Sequence, residues 1–367
     1  MACMTTDAAA TYRATFPAGF RPLAERLLVR DFRTVRDGDE SSMLFDADPP
    51  LKLPPYLQGA SLLLASIEER RLDDAYRRFA DLAEGRRGGG RERAGTGDCV
   101  RNLETAVGAF AGVSGAARFA LRGFIAGEPS SVPTELRGRL ERAVTRATGL
   151  RPDSAQSDLE FQVALRDDGH AYFLVAPRAK NEEERKKGTL PRSTSRLLCE
   201  LSRPEAGDVF LDPFAGSGAI PLERVRTGPF AMIFAGDRDE VLVDELKAKL
   251  KKPPYERKRK AIFPKVLDAR ELGRFEDGFF TAIVTDPPWG AFDGSSPVEL
   301  EDLYAAFLRE FGRLLAPEGR LVLLVSRDGP LDRVLAKSTA AWNVTEDYSV
   351  LVSGRKARAV VLMKGSN

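Results

Sequence analysis

The sequence predicts an α/β chain: a C-terminal domain built on a seven-stranded, mostly parallel sheet with a terminal antiparallel hairpin, preceded by two smaller α+β blocks. Three observations predict it. Nearly continuous apolar runs alternate with helical ones (DVFLDPF, the helix AIPLERVR, AMIFAGD, the helix VLVDELKAKLK, AIFPKVLD, FTAIVTDPP, the helix LEDLYAAFLREFGRLLA, GRLVLLVSR), as expected of parallel strands covered on both faces. The last two runs, DYSVLVSG and ARAVVLMK, flank Gly354 and Arg355 and read as a hairpin on the sheet's edge. Two polar stretches, EGRRGGGRERAGTGD from Glu84 to Asp98 and AKNEEERKKGTLPR from Ala179 to Arg192, leave little to bury and divide the chain into blocks at 11–84, 98–178 and 193–367.

In the first block a strand near TYRATF is followed by a helix carrying Phe20, Leu23, Leu27 and Leu28 on one face. A strand near SSMLF, the apolar run ASLLLASI and the helix LDDAYRRFADLAEG complete it. The second block has a strand ARFALRGF and then a helix behind Pro133, with Leu136, Leu140, Ala143, Val144 and Ala147 at helical spacing. The alternating segments LEFQVALR and AYFLVA follow, joined by a turn at Asp167, Asp168 and Gly169. The result is a small mixed sheet with a helix across it.

Composition excludes several classes. At 367 residues the chain has room for two or three domains, and 43% apolar with 30% charged residues is ordinary for a soluble globular protein. The start, MACMTTDAAATYRATF, lacks the basic and apolar regions of a secretory signal, and no apolar run is long enough to span a bilayer, so a cytoplasmic location is expected. Cys3, Cys99, Cys199 and the single His170 cannot form a disulfide framework, a four-ligand zinc site or a Cys-His pair of recognisable spacing, so no metal is expected. Cys199 reads as core packing and His170 as an exposed turn residue. The net charge of +2 advertises no polyanionic partner, but Lys247 to Lys260 holds eight Lys or Arg against one acid, Glu256. That run reads equally as a nucleic-acid contact or as a solvated helix end.

The chemistry concentrates at strand ends. DPFAGSG (Asp212 to Gly218) lies between an apolar strand and a helix, where open parallel sheets bind ligands, and its glycines permit close backbone approach. It lacks the lysine of a phosphate-cradling loop. The next strand ends at Asp237, at the spacing of a carboxylate that accepts from ribose hydroxyls. A third ends near Asp268, which reads either as an acceptor for an adenine amine, with Ala269 and Arg270 presenting backbone groups, or as a turn cap. The fourth ends Asp286, Pro287, Pro288, Trp289. An exocyclic base amine is a poor nucleophile, so its N–H groups need fixed acceptors: the Asp286 carboxylate, the Pro287 carbonyl stiffened by Pro288, and a stacking face from Trp289.

With these motifs the third block resembles the Rossmann-like methyltransferases that modify amino groups, from about Arg192 to the end. The resemblance implies S-adenosylmethionine as cofactor. It implies binding by Asp212, Pro213, Phe214, Ala215, Gly216 and Gly218 in the first turn, by Asp237 and Arg238 after the second strand, and by Asp268 and Ala269 after the third. Pro191, within TLPRSTSR, stands where a segment contacting the cofactor's methionine end is expected. Asp286, Pro287, Pro288 and Trp289 become the catalytic set, with Trp289 replacing the commoner Tyr or Phe and Ala215 a frequent Cys. The second block is similar to the THUMP RNA-binding domain and the first to the ferredoxin-like domain that precedes it. Together the blocks resemble the UPF0020 type of tRNA guanine-N2 methyltransferase, with RNA, above all tRNA, as partner. Methylation of adenine N6 or of ribosomal RNA, and a non-catalytic RNA-binding role, are the competing readings.

Overall fold

The computed structural model describes residues 9–32, 34–86, 98–110, 118–166, 169–178, 189–290, 296–338 and 342–365. Outside these lie Cys3, most of the glycine-rich linker, the Asp167-Asp168 turn and residues 179–188 of the second polar stretch. The chain forms two compact units, one of residues 1–15 and 25–184, the other of 16–24 and 185–367.

The N-terminal unit carries β1 (Ala10–Thr15), α1 (Arg21–Asp31, whose first turn groups with the other unit), β2 (Thr34–Asp39), β3 (Ser42–Ala47), β4 (Gly59–Glu68), α2 (Leu72–Ala83) and α3 (Cys99–Thr105). It continues with β5 (Arg118–Ile125), β6 (Glu128–Ser130), α4 (Thr134–Thr148), β7 (Arg151–Pro152), β8 (Leu159–Leu165) and β9 (His170–Pro177). Its strands make one sheet in the order β2-β3-β1-β4-β9-β8-β5-β6, with β7 on β5. The antiparallel pairing of β4 with β9 is the seam joining residues 11–84 to 98–178. Leu159, Phe161 and Val163 alternate inward along β8, as a half-buried strand requires, and Phe161 meets Phe119 of β5 and Phe173 of β9. Phe79 stacks on Phe173, seating α2 on the sheet, and Arg139 of α4 reaches Glu84 at 2.9 Å. His170 is the half-buried first residue of β9, its ring against Tyr172, because the β4–β9 ladder extends to it, pairing it with Glu68; the sequence reading placed it in an exposed turn.

The C-terminal unit holds α5 (Arg192–Leu201), β10 (Val209–Asp212), α6 (Ala219–Thr227), β11 (Met232–Asp237), α7 (Glu240–Leu250), β12 (Ile262–Val266) and β13 (Phe280–Thr285). After these come α8 (Pro297–Leu314), β14 (Leu315–Ser326), α9 (Leu331–Lys337), β15 (Trp342–Val352) and β16 (Arg355–Lys364). The sheet order is β12-β11-β10-β13-β14-β16-β15, parallel through β14 and antiparallel in the final pairings. All seven expected strands are present along the chain, the last two as the expected antiparallel hairpin.

Leu321 to Val325 in β14 are fully buried on both faces, which explains their unbroken apolar sequence. α8 opens with a reciprocal cap, Glu299 N donating to Ser296 Oγ and Ser296 N to Glu299 Oε2, ahead of Pro297 in the first turn. It buries Leu300, Tyr304, Phe307, Leu308, Phe311 and Leu314, one stripe at helical spacing. Residues 16–24 pack on β15: Leu351 N donates to Ala18 O, and Phe20 lies on Tyr348 with ring centres 5.9 Å apart. Gly19, at φ +90°, fits because a Cβ there would run into the Ser349 carbonyl.

Candidate active site at the strand ends

The chain order reverses between β10 and β13, with β11 and β12 on one side and β14 on the other. A crevice opens outside the carboxyl ends of the strands at such a point. Asp212 is the last residue of β10, Asp237 the last of β11, and Asp286 follows β13 directly, so the parallel sheet delivers three carboxylates to one end.

Asp212 is buried at 1% exposure. Its Oδ1 accepts from Thr285 Oγ1 at 2.6 Å and from Phe214 N at 3.2 Å, while its Oδ2 is buried with no hydrogen-bond partner. Burial pushes this carboxyl up to about 8, opposed by the Thr285 and Phe214 donors and assisted by the nearby carboxylates of Asp286 and Asp237.

The turn after Asp212 is fixed from β11. Ala215 N donates to Gly236 O at 2.7 Å and Gly216 N to Asp237 Oδ2 at 2.9 Å. Gly218, at φ +101°, caps α6 where a Cβ would collide with Leu246 of α7. A Cβ on Gly216, by contrast, would meet nothing within 4 Å, so the turn's backbone faces open space. Pro213 is buried, and the Phe214 ring sits edge-on to Phe307 of α8 at 5.5 Å. Asp237 Oδ1 accepts from Asp239 N, and Arg238 beside it is exposed.

An orphaned buried carboxylate oxygen, an open glycine turn and an acidic strand end together fit a nucleoside-bearing cofactor that also carries an ammonium group. Asp268 fits less well. Arg270 donates to both of its oxygens through the side chain and to Oδ1 through the backbone, the bond of a turn cap, and holds the carboxyl below the usual range. Ala269 is buried in the core. Pro191 is the N-cap residue just before α5, its carbonyl accepting from Ser195 N, and α5 packs on α6. Burial pushes the Cys199 thiol in α5 far up, as suits a core residue.

The Asp286-Pro287-Pro288-Trp289 turn is held at two points. Trp289 Nε1 donates to Asp286 Oδ1 at 2.9 Å and to Leu324 O of β14 at 3.3 Å. Tyr304 of α8 donates its hydroxyl to Pro288 O at 3.1 Å. Burial pushes the Asp286 carboxyl up to about 7, against the Trp289 donor. Sequence reasoning missed Thr285 and Tyr304. Thr285 stood next to Asp286 with a hydroxyl at the end of an apolar strand, which was signal enough; Tyr304 was one apolar stripe residue among six.

Among the described residues no group of His, Cys, Asp or Glu could hold a metal ion, and no helix is long and apolar enough to cross a membrane. The strand order, the glycine turn after β10 and the acidic ends of β10, β11 and β13 define the Rossmann-like methyltransferase fold.

A model of the RMKL-like methyltransferase domain of the UPF0020 family matches residues 180–358. The chain is 31% identical over 238 residues to a tRNA (guanine(6)-N2)-methyltransferase of Thermus thermophilus, covering 61% of this chain and 66% of that protein. It is 31% identical over 139 residues to a Methanothermococcus thermolithotrophicus protein named "Probable tRNA (guanine(10)-N2)-dimethyltransferase", covering 37% of this chain and 80% of that one. The crystal structure of TrmN from Thermus thermophilus superposes with a TM-score of 0.72 at 23% identity, covering 97% of this chain and 99% of that chain. The chain belongs to the UPF0020 methyltransferase family.

Proposed function

We propose that the protein is an S-adenosylmethionine-dependent RNA methyltransferase that forms N2-methylguanosine in tRNA. The observation that carries this reading is the placement of Asp286, in its Asp-Pro-Pro-Trp turn, beside the Asp212 strand end at the sheet's switch point. The guanine N2 choice follows the printed activity of the Thermus relative, whose length the match spans by about two thirds.

Asp212, Pro213, Phe214, Ala215, Gly216, Gly218 and Asp237 would hold the cofactor, with Asp237 toward its ribose and the free Asp212 oxygen toward its ammonium group. Arg238 flanks that site. When bound, S-adenosylmethionine supplies the methyl group as a sulfonium electrophile. The Asp286 carboxylate accepts one N–H of the target amine and the Pro287 carbonyl the other, which aims the nitrogen lone pair. As nitrogen gains the methyl carbon it must lose a proton, and Asp286, held near 7, is matched to take it at neutral pH. Attack is direct, without a covalent enzyme intermediate. The base is taken out of its stack, at a cost of a few kcal/mol, and the Trp289 face returns about 1 to 3 of them.

Residues 98–178, as a THUMP-like domain with the ferredoxin-like 11–84 before it, serve RNA recognition, and the setting is cytoplasmic. Purified protein, labelled S-adenosylmethionine and total tRNA from a deletion strain, followed by nucleoside mass spectrometry, tests the reading. N2-methylguanosine supports it; N6-methyladenosine transfers the reading to adenine; no incorporation into any RNA removes it. Calorimetry should show S-adenosylmethionine binding lost in Asp237→Ala.

A further inference from the structure

Stacking uses the face of an indole, yet here its edge is also engaged: the Trp289 N–H lies on the Asp286 carboxylate three residues back and on a backbone carbonyl of β14. A Tyr or Phe ring has no donor at that place on its edge. With Tyr304 on Pro288 O, two side-chain donors hold the turn, one at Asp286 and one at Pro288.

We propose that Trp289 is a positioning residue for Asp286: its Nε1–H holds Oδ1, fixing the carboxylate's rotation and leaving Oδ2 as the oxygen offered to the substrate amine. This rests on the methyltransferase reading for its purpose, but the contact itself is testable without substrate. Among the described residues, the ionisable groups that the neighbouring strands bring to this end of the sheet are carboxylates, Asp212 on β10 and, beyond it, Asp237 on β11. β14 contributes the Leu324 carbonyl, and the α8 hydroxyl of Tyr304 donates to Pro288. Among the described residues Trp289 is the hydrogen-bond donor that favours the ionised form of Asp286, and the indole proton reports that ionisation.

The protein has two tryptophans, so its indole N–H region holds two signals. Trp342 Nε1 is buried without a partner and serves as the internal control. In the 15N-labelled full chain the Trp289 signal, assigned by its loss in Trp289→Phe, should titrate with a midpoint near 7, while the Trp342 signal stays flat. Asp286→Asn should abolish the titration. Two flat signals between pH 5 and 9, or a titration that survives Asp286→Asn, would overturn the proposal whatever the protein methylates. In turnover, Trp289→Phe keeps the aromatic face but should move the acid limb of the pH–rate profile up by about one pH unit, because the donor favouring the carboxylate is gone. Tyr304→Phe should lower kcat with the limb in place. Equal limbs in wild type and Trp289→Phe would contradict the assigned role.

Discussion

Thr285 Oγ1 donates to Asp212 Oδ1 at 2.6 Å, linking the last residue of β13 to the last residue of β10 across the switch point of the sheet. The bond satisfies one oxygen of a buried carboxylate, and the other is buried without a partner. A buried polar atom without a partner is a cost to the fold, retained where a ligand will use it.

Asp212→Asn should therefore stabilise the protein without cofactor at alkaline pH. The folded pKa of about 8 lies above the unfolded carboxylate value, so the folded state binds the extra proton. Stability from this group is full below the unfolded value and is lost as pH rises through the folded one, at about 1.4 kcal/mol per pH unit. Denaturant melts at pH 6 and pH 9 should show wild type losing stability relative to Asp212→Asn, with cofactor affinity reduced in the variant. Parallel curves would show that Asp212 is not strained by ionisation.

Gly19→Ala should destabilise by about 2 kcal/mol or more, since the residue combines φ +90° with a neighbouring backbone carbonyl that cannot yield as a side chain does. Thermal melting of the full chain measures it. A variant as stable as wild type would mean that residues 16–24 do not hold β15 in solution.

The C-terminal unit was legible because its strands are buried on both faces and so read as unbroken apolar runs, and because DPFAGSG and TDPPW sit where strand must turn into loop. What escaped the sequence was pairing at long range. Nothing local in ASLLLASI or AYFLVA says that β4 and β9 share a ladder, and nothing in PAGF says that residues 16–24 leave their own block for β15. The roles of Thr285 and Tyr304 likewise depend on neighbours 73 and 16 positions away. Asp268 differs, because its captor Arg270 stood two residues along and the capping alternative was visible from the start.

The basic run divides in the structure. Lys249 donates to Ser217 O and Lys258 to Val225 O, serving the fold, whereas Lys251, Lys252, Arg257, Arg259 and Lys260 are exposed. If these five side chains neutralise phosphates, replacing them with Gln should weaken tRNA binding and flatten the dependence of log K on log salt by up to about 0.7 to 0.9 for each phosphate no longer neutralised. Binding titrations across a salt series check this. An unchanged slope would return the run to the class of solvated surface.

The central claim is that Asp286 orients and deprotonates the amine, and single-turnover methylation by Asp286→Ala tests it most directly. With labelled S-adenosylmethionine and unmodified tRNA, the rate should fall at least about 100-fold while tRNA and cofactor affinities stay within a few-fold of wild type, and Trp289→Ala should lose less. The wild-type rate should itself fall below a midpoint near pH 7, where Asp286 takes up its proton. Substantial methylation by Asp286→Ala with intact binding would contradict the account.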